Sequence, residues 1–249
     1  MADTDIKRKK HEETHLSHQE FLKLLEFKMS PDDINLVDAA YELAKAGHKK
    51  QKRDDGTPYI EHCKNTARII IQELGIGDKD LIIAALLHDF REDAPDLFLH
   101  LATPEILAAL FGRRVARLII GVSKPYKNDQ RFKSDTERHQ FYFQQLNKAN
   151  PWIKLLKLCD RLHNMRTIHH CAPEKRARKI KETTEIYIPM IAAIEQINVN
   201  FCRYLSHELR EAIEIAKAVP TDKLGPPLIA DVGTGDGKIP NPAVTNPQK

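Results

Sequence analysis

Residues 81–95 read LIIAALLHDFREDAP. The first seven positions are apolar without interruption. The next six hold one histidine and three carboxylates: His88, Asp89, Glu92 and Asp93. At about 100° per residue, His88 and Glu92 stand within about 40° of one another on a helix, as do Asp89 and Asp93. The polar groups therefore share a side, while Leu81, Ala84, Ala85 and Leu87 supply buried surface. A carboxylate at the edge of a core is costly to desolvate, and three together raise one another's pKa. A bound divalent cation removes both costs. A His–Asp ligand set suits Mn²⁺, Fe²⁺ or Zn²⁺ better than a thiolate-type zinc site would. Taken alone, the stretch also reads as a solvated acidic helix end with one satisfied histidine, which is the commoner arrangement.

Outward from this stretch the chain reads as helix throughout. Ser30 is placed to cap a helix that opens on Pro31, with Asp32 and Asp33 in its first turn. Leu36, Ala39, Ala40, Leu43 and Ala44 follow at helical spacing. QKRDDGTPYIEH, residues 51–62, is a loop broken by Asp-Gly and Thr-Pro. A helix is expected over 61–74, ending at Gly75 and Gly77, and another over 78–93, stopped by Pro95. TPEILAALFG (103–112) and RRVARLIIGVSK (113–124) are two short helices, and 123–137 is a basic loop. Helices resume over 138–148, 151–169 and 173–217, with a break expected near Pro189. No strand alternation and no internal repeat is visible. The expected organisation is a polar N-terminal extension over 1–29, one all-α domain over 30–218, and a flexible Pro/Gly-rich tail over 219–249. His11, His15 and His18 could share a helical face but are read as solvent-exposed. GTGDG at 233–237 lacks a following Lys-Ser/Thr and is given no function.

Two further stretches carry polar groups at the rim of a core. In KLLKLCDRLHNMRTI (154–168), Leu155, Leu158 and Leu162 mark a buried face, and Asp160, Asn164 and Thr167 form one stripe at i, i+4 and i+7. An ion pair of Asp160 with Arg161 or a nearby lysine is the plainer reading. In QKRDDGTPYIEHC (51–63), Arg53, Tyr59 and His62 sit on or just after a loop, where ligand-binding groups concentrate. A surface turn over a packed tyrosine is the alternative.

A His-Asp pair on one helix with a remote Asp on another resembles the HD superfamily of metal-dependent phosphohydrolases. The ordered stretches HKKQKRDDGTPYIEH, AALLHDFRED, FGRRVARLIIGVSK and KLCDRLHNMRT, followed by ETTEIYIPM at 182–190, are similar to the hydrolase domain of the RelA/SpoT family of guanosine tetraphosphate enzymes. The resemblance covers about residues 36–205 and implies an HD-domain helical bundle. It implies His62, His88, Asp89 and Asp160 as metal ligands, with Mn²⁺ the usual metal. It implies Glu92 and Asp93 as the pair that handles the attacking water. Arg53 and Tyr59 match residues that hold the guanine end, and Asn164 and Thr167 match those that contact the nucleoside. A 3′-diphosphate also calls for cations, for which Lys124, Lys127, Arg131, Lys133 and Arg138 are candidates, Lys124 foremost.

The implied activity is hydrolysis of the 3′-pyrophosphate of ppGpp or pppGpp to GDP or GTP and pyrophosphate. An HD hydrolase acting on another phosphorylated nucleotide, or a non-catalytic alarmone sensor, are the alternatives. Four positions depart from the family pattern. Cys63 stands where a proline is usual, Asp54 and Asp55 follow Arg53 where a second base is common, and Arg91 replaces an apolar residue. The length leaves no room for the family's synthetase and regulatory domains, so a stand-alone hydrolase is expected.

The bounds agree with this. A chain of 249 residues with 30% charged residues and a formal net charge of +4 gives no reason to invoke nucleic acid or membrane, and neither is expected as a partner. The N-terminus is too polar for a secretory signal, and no apolar run approaches the ~20 residues that span a bilayer. Cys63, Cys159, Cys171 and Cys202 form no CxxC pair and read as reduced thiols of a cytoplasmic protein. The sequence assigns no oligomeric state.

Overall fold

The computed structural model describes residues 16–93, 100–126 and 129–219. The expectations for His11, His15, Pro95, Lys127 and the tail from Pro220, GTGDG included, lie outside the described residues.

The described chain is all α. Its helices are α1 (His18–Lys23), α2 (Pro31–Gly47), α3 (Ile60–Arg68), α4 (Lys79–Leu87), α5 (Phe90–Asp93), α6 (Pro104–Phe111) and α7 (Arg113–Val122). They continue with α8 (Asp135–Lys148), α9 (Pro151–Arg166), α10 (Pro173–Glu182), the short α11 (Ile188–Met190) and α12 (Val199–Ala218). Among the described residues the only β pairing is an isolated bridge between Lys52 and Pro58.

Local chemistry sets many of these starts. Ser30 accepts the backbone N–H of Asp33 and Pro31 opens α2, as expected. Asp78, Thr103, Ser134 and Asn150 cap α4, α6, α8 and α9 in the same way. Gly112, at φ +95°, turns the chain between α6 and α7, a conformation open to glycine at little cost. In α4 every residue from Leu81 to Leu87 is buried. It is a central helix, packed against α2, α3 and α7, while α9 packs on α3, α4, α7 and α12.

Several expectations are corrected. The helix expected over 78–93 is interrupted at His88 and Asp89, so α4 and α5 are separate segments. The helix over 61–74 ends in a π turn, Ile69–Glu73. The break expected near Pro189 is present: the chain after α10 passes through a π turn at Thr183–Tyr187, α11 and a 3₁₀ turn at Ile191–Ile194. The π turn shifts the register ahead of Pro189, whose ring cannot take a place in a regular i→i−4 ladder. Finally, Phe21 and Leu25, in the segment read as a polar extension, are fully buried. Their helix opens on a capping box between Ser17 and Glu20. His18, at its start, stacks on Tyr41 and lies 2.7 Å from Asp38 rather than standing free in solvent.

Gly47 is a point of close approach. A Cβ there would drive into the ring of Phe90, the first residue of α5. The missing side chain lets α5 lie against the end of α2.

The four cysteines are free thiols, and Cys63, Cys159 and Cys171 are buried. Among the described residues no helix is long and apolar enough to cross a membrane.

Candidate metal centre

The three helices that carry the expected ligands pack on one another. His62 stands in the first turns of α3, just after the loop closed by the Lys52–Pro58 bridge. His88 caps the C-terminal end of α4, with Asp89 next to it. Asp160 projects from the middle of α9. His62, His88 and Asp160 are 1–3% exposed and Asp89 is 7% exposed, so all four depend on one another rather than on water.

Their atoms converge. His62 Nε2 lies 3.1 Å from His88 Nε2, 3.4 Å from Asp89 Oδ2 and 3.1 Å from Asp160 Oδ1. His88 Nε2 lies 3.0 Å from Asp89 Oδ2 and 3.6 Å from Asp160 Oδ1. At bond lengths of about 2.0–2.2 Å, two ligands of one ion stand about 3 Å apart at right angles and about 3.5 Å apart in a tetrahedron. The His–His and His–Asp edges match that range; His62, His88 and Asp89 form the tightest group, with Asp160 reaching the two histidines from the other side, and the donor set fits a borderline divalent cation.

A surrounding layer holds each ligand. His88 Nδ1 donates to the carbonyl of Ala85 at 2.7 Å, which leaves Nε2 facing the centre. His62 Nδ1 is 2.6 Å from His163 Nδ1. The second oxygen of Asp160 takes an ion pair from buried Lys157 at 2.8 Å, and Asn164 Nδ2 donates to the first at 2.5 Å. Tyr59 donates its hydroxyl to Asp89 Oδ2 at 2.7 Å, its ring stacked on His48.

The charges are strongly coupled. Burial alone would lower the pKa of His88, but Asp89 and Asp160 overcome it and push it up to about 10. Burial likewise opposes ionisation of the two aspartates, yet the histidines, and Lys157 beside Asp160, hold both well below the usual carboxylate range. Without a cation, the pocket draws a proton onto a histidine to balance its carboxylates.

Beside this centre the nucleotide-side candidates meet. Arg53 donates to Asn164 Oδ1 at 3.1 Å and to Thr167 Oγ1 at 2.8 Å, and its guanidinium lies 6.0 Å from the ring centre of Tyr59. Asp54 and Asp55 are bonded elsewhere. Asp54 pairs with Lys175 at 2.6 Å and accepts from the Cys171 thiol, while Asp55 closes a turn on Thr57. Glu92 accepts from both the backbone N–H and the ammonium of Lys124. Arg91 lies over the ring of Tyr126. Asp93 ends α5, and its side chain lies outside the described residues.

Of the other basic-loop candidates, Arg131 is paired with Asp129, and Arg138 is buried against Asp135 and the carbonyl of Pro125. Arg138 therefore braces the loop. Lys157 is the nearby lysine that could pair with Asp160; sequence reasoning passed over His163, whose signal was its position three residues beyond Asp160 on one helix.

A family model described as "HD domain" matches residues 40–196. The chain is 41% identical over 160 residues to the guanosine-3′,5′-bis(diphosphate) 3′-pyrophosphohydrolase of Aquifex aeolicus, covering 64% of this chain and 22% of that protein. It is 37% identical over 169 residues to the bifunctional (p)ppGpp synthase/hydrolase SpoT of Escherichia coli K12, covering 68% and 23%. The chain thus spans less than a quarter of the length of these relatives. A solved structure described as a metazoan ortholog of SpoT that hydrolyzes ppGpp shares the fold, with a TM-score of 0.54 at 24% identity over 74% of this chain and 97% of that one.

Proposed function

The chain belongs to the HD-domain family, and we propose that its buried centre removes pyrophosphate from the 3′ position of ppGpp or pppGpp. The observation that carries this reading is the convergence of Asp89 and Asp160, each 3.0–3.6 Å from the paired histidines His62 and His88, beside the cluster of Arg53, Asn164 and Thr167.

His62, His88, Asp89 and Asp160 would hold the divalent cation, Mn²⁺ in this reading. When bound, it supplies Lewis acidity to a phosphate oxygen and acidifies water so that a nucleophile forms near neutral pH. In the reaction the water oxygen bonds to the phosphorus on O3′, the O3′–P bond breaks, and O3′ takes up a proton. The products are GDP or GTP and pyrophosphate. Glu92 accepts the proton of the attacking water, and Asp93 orients that water. Lys124 holds Glu92 in the resting site and faces the departing diphosphate, where its charge stabilises the growing negative charge. Arg53 and Tyr59 hold the guanine end, and Asn164 and Thr167 hold the nucleoside. The bonding of Asp54 to Lys175, and of Asp55 to Thr57, leaves Arg53 directed at Asn164 and Thr167, in favour of a guanosine substrate. The proposed setting is the cytoplasm, where free thiols persist and where this turnover would end a stringent response.

The test is a turnover assay on metal-stripped protein with Mn²⁺ restored, following GDP and pyrophosphate from ppGpp. Mn²⁺-dependent release of both in equal amounts is expected. Intact ppGpp in the presence of Mn²⁺-loaded protein overturns the reading.

A further inference from the structure

We propose that His163 is a positioning residue of the metal centre, acting as the hydrogen-bond acceptor that fixes the tautomer of His62. The inference rests on the metal-binding part of the reading above and is independent of the substrate.

Two imidazoles meet Nδ1 to Nδ1 at 2.6 Å, with ring centres 4.7 Å apart, and both are at most 2% exposed. Between neutral rings only one of the two nitrogens carries the proton. If His163 donated, neutral His62 would carry its proton on Nε2. That atom lies within 3.4 Å of His88 Nε2, Asp89 Oδ2 and Asp160 Oδ1, and a protonated nitrogen there cannot ligate a cation. The opposite arrangement leaves His62 able to ligate. His62 Nδ1–H donates to His163 Nδ1, His163 carries its own proton on Nε2, and His62 presents a lone pair to the centre.

His88 needs no such help, because its Nδ1 partner is the carbonyl of Ala85, which can only accept. For His62 the same task falls to a side chain that could act either way, and the metal selects one of the two states. His163 stands on α9 one turn beyond Asp160, so one helix both supplies a ligand and orients another. A ligand histidine held in this way loses about 10–100-fold in metal affinity when its outer partner is removed.

The experiment is calorimetric titration of Mn²⁺ into the metal-stripped full chain, with His163→Leu and His163→Asn alongside. Asparagine places an acceptor oxygen near the position of Nδ1, and leucine does not. Expected is a 10–100-fold weaker Mn²⁺ affinity for His163→Leu, with most of it recovered in His163→Asn. Wild-type affinity in a natively folded His163→Leu overturns the proposal, as does equal weakening in both variants. Should the variants not fold, ¹⁵N-histidine spectra of the Zn²⁺-loaded wild type decide: a proton on His62 Nδ1 and none on His163 Nδ1 is expected, and the reverse overturns it. If ppGpp stays intact while Mn²⁺ binds as predicted, only the substrate assignment fails.

Discussion

Glu92 and Lys124, 32 residues apart, are joined twice. The backbone N–H of Lys124 donates to one carboxylate oxygen at 2.6 Å and its ammonium to the other at 3.1 Å. The contact ties α5 to the start of the loop after α7. Because one of the two donors is backbone, no substitution at 124 other than proline removes it.

Lys124→Ala is therefore expected to leave Glu92 in place and Mn²⁺ affinity unchanged, while kcat on ppGpp falls by about tenfold through loss of charge stabilisation. Glu92→Gln removes the proposed proton acceptor and is expected to lower kcat by about 10²–10⁴. Steady-state kinetics with parallel Mn²⁺ titration reads both. Equal losses in the two variants would mean that Lys124 acts only by holding Glu92.

Lys157 and Asp160 form a buried pair, with side chains 4% and 5% exposed. Asp160→Asn leaves the ammonium of Lys157 without its carboxylate and is expected to cost about 3–5 kcal/mol of stability. Lys157→Met in the same chain removes the uncompensated charge and should restore most of that stability without restoring metal binding. Urea denaturation of the metal-free single and double variants checks this. A double variant no more stable than Asp160→Asn would refute it.

Lys179, near the end of α10, has its pKa lowered to about 8 by burial and then by the neighbouring Arg161. The folded state therefore holds this proton less tightly than the unfolded chain, whose lysine titrates near 10.5. The resulting destabilisation is fully present below about pH 8 and is relieved as the pH rises toward 10.5, because the unfolded state then binds more protons. Lys179→Met is expected to be more stable than wild type at pH 7, with the difference shrinking between pH 8 and 10. A difference that does not change with pH would contradict the assignment.

Gly47→Ala puts a methyl group into the ring of Phe90. The clash is expected to cost about 1–3 kcal/mol, more than the ~1 kcal/mol of helix propensity that alanine gains. Combined with Phe90→Leu, the penalty should shrink, giving a coupling energy in a double-mutant cycle. Additive effects would show that the two do not meet in solution.

The helix starts were legible where a cap, a proline or an acidic first turn announced them, as at Ser30–Pro31. The proposed ligand set was named from the ordered stretches that resemble the family. The break at His88–Asp89 was not, because the apolar run continues into Phe90 and helical periodicity carries no sign of a bend that packing imposes. The capping box of Ser17 and Glu20 ahead of Phe21 was a readable signal for α1, obscured by the charged residues around it. His163 and Lys157 lay in plain view beside Asp160, yet their roles depend on which way each points. The partners of Asp54, Cys171 and Lys175, lie 117 and 121 residues away. No local pattern reveals such a contact.

α9 carries Asp160 and Asn164 on one face and ends at its C-cap Thr167, so a single rigid rod bears the proposed metal ligand at its middle and the proposed nucleoside groups toward its C-terminal end. At 1.5 Å per residue, Asp160 and Thr167 are spaced by about 10 Å along its axis. The helix is thereby a ruler. On the proposed reading it sets the reach a substrate must have from its scissile phosphate to the far side of its nucleoside, and an ester of shorter or longer reach cannot touch both marks at once.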